Sequence, residues 1–319
     1  MKRALVTGAT GQDGSYMCEL LLDMGYEVTA MLRRSSSPNL KRLDGVIDRV
    51  KSRYGDLTDQ ASLVNILKDA DPDEIYALGA QSFVGTSWSQ PIYTCEVTGL
   101  GQVKLLEAVR QTNPLAKVYF AASSEMYGNT PPKQTEESIF APRSPYGYAK
   151  LLAYWATRNH RDSYGMFCCN GICFNHESPR RGTEFVTKKI AVGVANCVYD
   201  SSYKIKLGNL DAMRDWGYAP EYCEAMYLMM QHSKPDDYVI ATGEVHTVRE
   251  FLEEAFRVVG IGDWEKHVEI DPSCKRPVDD LLLCGDSTKA KKVLGWQPAT
   301  RFKRLVKIMV ENELDETWN

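Results

Sequence analysis

Apolar and polar positions along the chain alternate between two rhythms. A short continuous apolar run at residues 4–6 gives way to a helix-like pattern that begins at Tyr16. Strand-like runs recur at 26–32, 50–54, 74–78 and 117–122, with helical spacing at 59–68 and 93–111. In the last of these helices Val97, Leu100, Val103, Leu105, Leu106 and Val109 share one side. Short apolar runs alternating with helical repeats predict an α/β fold, a doubly wound parallel sheet with helices on both faces. The expected strands end at Leu78, Ala122 and Cys173, each followed by polar residues. Ligands in such sheets bind beyond the carboxyl ends of the strands, so the chemistry is expected there.

From about Gly182 the rhythm loosens. Helices are expected at 185–199, 222–231, 247–259, 287–294 and 302–314, with short strands near 203–207 and 238–241. This predicts a smaller, partly helical lobe. Residues 1–182 are expected to form a Rossmann-type NADP-binding domain and 183–319 a substrate lobe, with segments such as 208–245 returning to the first domain. No internal repeat, low-complexity tract or flexible linker interrupts the chain.

Composition narrows the classes. A chain of 319 residues with 44% hydrophobic and 25% charged positions can bury a substantial core. The net charge of −4, with acids and bases interspersed, gives no electrostatic reason to expect nucleic acid or an anionic membrane. No apolar run approaches a bilayer span, and with the first strand starting so early no signal peptide is expected ahead of it. Nine cysteines without a Cys-x-x-Cys spacing argue against both a metal site and a disulfide framework. A cytoplasmic protein with reduced thiols is expected.

The first candidate chemistry is the turn after the opening strand, where Gly8, Gly11 and Gly14 precede the helical pattern. A strand turning sharply into a helix aims backbone N–H groups and the positive end of the helix dipole at one point. That point suits a pyrophosphate, and glycines clear its approach. A merely tight turn is the bland alternative. At the end of the second strand, an NAD site would place Asp or Glu on the ribose hydroxyls. The chain has Arg33, Arg34, Ser35 and Ser36 there instead. Two guanidiniums and two hydroxyls suit a ribose phosphate, so NADP is the expected cofactor; a solvated basic turn is the alternative.

The acid–base candidates come later. Tyr146 and Lys150 are four apart on an expected helix and so face the same way. A neighbouring ammonium favours the ionised phenol and makes it a usable base. Ser123 or Ser124 lies upstream at a strand end, and Glu125 follows on the same loop. An isolated carboxylate is by default a cap or an ion-pair partner. Ser and Glu on one loop, with Tyr and Lys on the next helix, would instead place one proton donor and two bases around a small substrate. Hydride transfer alone needs no second base.

These motifs resemble the extended short-chain dehydrogenase/reductase superfamily and, within it, the GDP-mannose 4,6-dehydratase family. The matching stretches span almost the whole chain and include residues 6–14, 33–36, 78–82, 124–128, 142–146, 214–217 and 236–243. The run Asn175-His-Glu-Ser-Pro-Arg-Arg-Gly182 is the most particular of them. The resemblance implies a redox-neutral lyase that converts GDP-mannose to GDP-4-keto-6-deoxymannose and water, a first step toward deoxysugars such as GDP-fucose and GDP-rhamnose. In this scheme Tyr146 is the base at carbon 4, Lys150 holds ribose and phenolate, Glu125 is the base at carbon 5, and Ser123 binds the oxygen on carbon 4.

Cofactor contacts implied by the resemblance come first from the glycine-rich turn, at Gly8, Thr10, Gly11, Gln12 and Asp13. Further along they are Arg33, Arg34, Ser35, Ser36, Asp56 and Leu57, then Leu78, Ala80 and Tyr93, with Lys150, His176 and Arg181 completing the set. On the substrate side they are Ser82, Glu125, Asn175, Lys189, Arg214, Arg276 and Asp279. No metal is implied. Ser123 stands where the family usually has Thr, and Asp279 where it usually has Glu to accept from guanine. The loop from Ser37 to Arg42 is shorter than usual, in a region that joins family dimers into tetramers. A homodimer or homotetramer is expected. The competing expectations are a dehydratase, reductase or epimerase acting on another nucleotide-linked hexose or heptose, and a non-catalytic NADP-binding protein on the same fold.

Overall fold

The computed structural model describes residues 1–37, 39–274, 278 and 282–318, with 316–318 in backbone only. Along the first half run β1 (Arg3–Thr7), α1 (Gln12–Asp23), β2 (Glu27–Leu32), β3 (Lys51–Tyr54), α2 (Gln60–Ala70), β4 (Glu74–Ala77), α3 (Val84–Ser89), α4 (Pro91–Thr94), α5 (Gly101–Thr112), β5 (Lys117–Ser123), α6 (Pro145–Tyr164) and β6 (Cys168–Cys173). Then follow β7 (Asn175–Glu177), α7 (Val186–Tyr199), β8 (Ile205–Leu207), β9 (Met213–Arg214), β10 (Trp216–Tyr218), α8 (Ala219–Gln231), β11 (Asp237–Ile240), β12 (His246–Thr247), α9 (Val248–Val259), β13 (Val268–Ile270), β14 (Leu282–Leu283), α10 (Thr288–Leu294) and α11 (Phe302–Trp318).

Seven strands form one parallel sheet in the order β3-β2-β1-β4-β5-β6-β11. The chain builds outward from β1 to β3, then returns to β4 and builds the other way. The crevice between the ends of β1 and β4 is therefore the switch point where ligands bind in such sheets. Successive strand residues feed opposite faces. Ala4, Val6, Val28 and Tyr119 pack with Met17 and Leu21 of α1 and Met226 of α8. Leu5, Ile75 and Val118 pack with Leu63 of α2, Leu106 of α5 and Tyr154 of α6. A third cluster joins Ile190 and Val194 of α7, Phe251 and Phe256 of α9, and Val306 and Met309 of α11 around Trp216.

Two local departures from the expected pattern bear on the site. Helix α1 begins at Gln12 rather than Tyr16. Its first turn, Gln12 to Ser15, lacks apolar periodicity because part of it faces the crevice instead of the core. Gly8 adopts φ +66°, and a Cβ on Gly14 would stand 2.2 Å from the Gly8 carbonyl oxygen, so only glycine lets the helix follow the turn so closely. The long helix expected at 93–111 contains a π-helical stretch, Cys95–Leu100. Side chains at Gly99 would press on Leu152 and the Ala149 carbonyl of α6. The edge strand β3 is exposed along its whole length, and its Lys51 and Arg53 suit an unpaired sheet edge.

Candidate active site

Ser123 ends β5, and the chain turns at once through a 3-10 turn, Ser124–Met126. The Ser123 hydroxyl accepts from the Glu125 N–H at 3.3 Å and pins this turn. Helix α6 starts just beneath it. Ser144 caps α6 by accepting from the Gly147 N–H at 3.0 Å, and Pro145 occupies the first turn. A Cβ on Gly147 would lie 2.7 Å from the Glu125 carbonyl oxygen, so this glycine lets the helix reach the Glu125 turn. Tyr146, Lys150, Ser123 and Glu125 thus line one cavity, and all four are buried.

The same cavity brings in Gly8, Gly11, Gln12 and Asp13 from the β1 side, Leu78, Ala80 and Ser82 from the β4 side, and Asn175, His176 and Arg181. Thr10, Arg33, Arg34, Ser35, Ser36, Asp56, Leu57 and Tyr93 do not line it. Among them, Arg33 Nη1 donates to the Tyr93 hydroxyl at 2.8 Å. Burial opposes ionisation of Asp56, but hydrogen bonds from Thr58 and the Arg33 charge hold its carboxyl below the usual range. Arg34, Ser35 and Ser36 are exposed, and Leu57 is buried.

Asp13 and His176 form a charge pair inside the cavity. His176 Nε2 lies 2.9 Å from Asp13 Oδ2, and Nδ1 lies 2.7 Å from the Phe174 carbonyl oxygen. Both ring nitrogens face acceptors, an arrangement that favours the doubly protonated ring. Burial would lower the His176 pKa, but Asp13 raises it above the ordinary value. In turn, burial would raise the Asp13 carboxyl, and the His176 charge and hydrogen bond bring it down to about 2.

Tyr146 and Lys150 are less directly paired than helical spacing suggests. Lys150 Nζ donates to the Ala121 carbonyl oxygen at 2.6 Å and lies 5.7 Å from the centre of the Tyr146 ring. Burial pushes the phenol pKa well up, and a hydrogen bond with Ser123 offsets part of that rise. Burial also lowers the Lys150 pKa from 10.5 to about 8. Below pH 8 the fold therefore carries a buried cation at full cost, and the cost is relieved as pH rises toward 10.5. Urea unfolding of the cofactor-free chain and of Lys150→Met should diverge across that window by about 3 kcal/mol, with the parent gaining stability as pH rises. Parallel pH profiles would remove the argument.

A second cavity of about 300 Å³ adjoins the first, a size suited to small ligands. It contains Lys189 and Arg214 from the expected substrate set and shares Asn175, Arg181 and Phe185 with the first cavity. Arg214 Nη1 donates to the Met213 carbonyl oxygen at 2.8 Å. Arg276 and Asp279 lie outside the described residues. Sequence reasoning missed Phe83, Glu177, Phe185, Thr187 and Trp216, all of which line this cavity. Their only signal was adjacency: Glu177 and Trp216 lie within recognised motifs, and Phe83 directly follows Ser82. Among the described residues no group of three or more His, Cys, Asp or Glu is placed to hold a metal ion. None of their helices is long and apolar enough to cross a membrane.

Comparison with known proteins gives the family and the fold. The family model described as GDP-mannose 4,6 dehydratase matches residues 5–309. GDP-mannose 4,6 dehydratase 1 of Arabidopsis thaliana is 50% identical, over 98% of this chain and 90% of its own length. The Homo sapiens GDP-mannose 4,6 dehydratase is 46% identical, over 98% of this chain and 91% of its own. Among solved structures, the dTDP-glucose 4,6-dehydratase DesIV of Streptomyces venezuelae, with NAD and TYD bound, superposes with a TM-score of 0.88 at 24% identity, covering 99% of this chain and 98% of that one. The UDP-glucose 4-epimerase of Thermus thermophilus, in complex with NAD, gives 0.86 at 26% identity, with 98% of each chain covered. With its Rossmann sheet, a family model matching residues 5–309 and 46–50% identity to these relatives over 98% of its length, the chain belongs to the GDP-mannose 4,6-dehydratase family.

Proposed function

We propose that this chain converts GDP-mannose to GDP-4-keto-6-deoxymannose and water, using NADP that ends each cycle as it began. The observation that carries the reading is the presence of Glu125 in the same cavity as Tyr146, Ser123 and Lys150. A reductase, or an epimerase that works by hydride transfer alone, needs the phenol but has no use for a buried second base beside it. Bound NADP would accept a hydride from carbon 4 and return it to carbon 6. Tyr146 takes the proton of the carbon 4 hydroxyl, with Ser123 hydrogen-bonded to the same oxygen and Lys150 stabilising the phenolate. The ketone at carbon 4 acidifies carbon 5, whose proton Glu125 removes as water leaves from carbon 6. Incubation with GDP-mannose, followed by mass spectrometry, should find a product lighter by one water with no net NADPH consumed. Stoichiometric NADPH consumption would favour the reductase reading instead.

The residues present fit NADP. The first turn of α1 directs N–H groups into the crevice, and the glycines leave room that a side chain at Gly14 would close. At the end of β2 stand exposed Arg33 and Arg34, where a carboxylate would favour an unphosphorylated ribose. The parent chain should therefore bind NADP more tightly than NAD, and an Arg33→Ala, Arg34→Ala variant should lose that preference, by about ten- to a hundredfold for two charge-assisted contacts. Fluorescence titration with each cofactor tests this. Equal affinities in the parent would sink it.

Lys189 and Arg214 are assigned to the GDP diphosphate, with Arg276 and Asp279 at the base. In this division of labour residues 1–182, together with segments such as 208–245, hold the cofactor, and the rest of 183–319 holds the nucleotide sugar in the cytoplasm. A second copy of the chain is placed on the strip where Ile92, Leu100, Tyr148, Leu152 and Trp155 are exposed side by side along α4, the π-helical stretch and α6. Sedimentation should find dimers or tetramers, and Leu152→Glu should shift them toward monomers; a monomeric parent would refute the placement.

A further inference from the structure

Strand β7 is only three residues long, yet its side chains serve different neighbours. His176 binds Asp13 on the cofactor side, while the next residue, Glu177, lines the second cavity. Glu177 is 1% exposed. Its Oε2 lies 3.1 Å from Arg181 Nε and accepts a hydrogen bond from the Thr187 hydroxyl in the first turn of α7. The Arg181 guanidinium in turn lies 3.6 Å over the Phe185 ring. Because Arg181 and Phe185 line both cavities, this stack is the wall between them.

The segment bearing the wall is tied on both sides. Ser178 donates to Gln12 Oε1 at 2.8 Å, and Arg180 reaches Ser15 and Glu19 of α1. On the other side, Lys188 of α7 donates to the Pro179 carbonyl oxygen at 2.7 Å. An ordered phosphate in one cavity therefore acts on a cation whose position also shapes the other.

We propose that Glu177 is a positioning residue that couples the two cavities by holding Arg181 in their common wall, so that a dinucleotide in one and a nucleoside diphosphate in the other bind cooperatively. The proposal rests on the nucleotide reading of the second cavity. Without the buried carboxylate, the guanidinium would turn toward whichever phosphate arrived first, serving one ligand at the other's expense. With it, the first ligand orders the wall and the second binds a surface already fixed. Linkage requires the effect to be reciprocal.

Calorimetric titration of GDP into the cofactor-free chain and into the NADP-saturated chain tests the coupling. The parent should bind GDP at least about fivefold more tightly when NADP is present, and NADP should gain the same factor from GDP. Glu177→Gln keeps the size and an acceptor for Thr187 but removes the charge that holds Arg181, so the ratio should fall toward one. Thr187→Val, which frees the same carboxylate from α7, should reduce it as well, and it decides the matter if Glu177→Gln fails to fold. A ratio of one in the parent, or an unchanged ratio in the folded variants, would overturn the coupling alone. GDP that binds in neither state would overturn the nucleotide reading and the coupling together.

Discussion

Tyr146→Phe should lower turnover of GDP-mannose by about 10²- to 10⁴-fold while leaving the fold intact. The ring is buried at the start of α6, and Phe fills the same space, so packing loses little. What is lost is the hydroxyl, the group that takes the proton of the carbon 4 hydroxyl in the proposed scheme. Burial holds this phenol protonated well past neutrality in the unliganded cavity, and the hydrogen bond with Ser123 only partly offsets that. Ionisation during the reaction must therefore be assisted by positive charge: the Arg181 guanidinium already favours the phenolate, and Lys150, held against the Ala121 carbonyl 5.7 Å from the ring centre, is a second cation of the cavity. Thermal unfolding and NADP affinity should stay close to the parent's. Near-normal turnover by Tyr146→Phe would mean that another group is the base.

Much of this site was legible because its parts sit where secondary structure changes. Three glycines after an apolar run mark a strand turning into a helix, and the spacing of Tyr146 and Lys150 marks one helical face. Glu125 stood out because a carboxylate just after a buried strand has no ordinary surface role. The beginning of α1 was misplaced because its first turn faces the crevice, and periodicity registers only residues that face the core. The π-helical stretch at Cys95–Leu100 was not visible in the spacing: it turns Thr98 and Gly99 inward and leaves Leu100 of the expected apolar side exposed, and Gly99, which allows the close approach of α6, looks like a weak helix former. Helical spacing also overstated the contact between Lys150 and Tyr146, since the ammonium finds the Ala121 carbonyl at the end of β5, a neighbour no local pattern reveals. Glu177 was missed for want of length. A three-residue strand carries no usable alternation, and its facing became clear only once β7 paired with β10.

Glu125→Gln should separate dehydration from hydride transfer. The substitution keeps the size of the side chain, and the Glu125 backbone N–H still donates to Ser123, so the turn that carries it should hold. A neutral amide cannot take the proton from carbon 5. Removal of the carbon 4 hydroxyl proton depends on Tyr146 and remains possible, so the variant should stall after the first half-reaction. Little dehydrated product should form, with a loss of about 10²- to 10⁴-fold in rate, and some reduced nucleotide should stay on the enzyme with its characteristic absorbance. Exchange of the carbon 5 hydrogen with deuterated solvent should fall by a similar factor, because the same carboxylate would catalyse it. The two variants thus differ in what they leave behind: Tyr146→Phe should accumulate no reduced cofactor, and Glu125→Gln should. If Glu125→Gln releases dehydrated sugar and exchanges deuterium at the parent's rate, the carboxylate is structural and the base at carbon 5 lies elsewhere in the cavity.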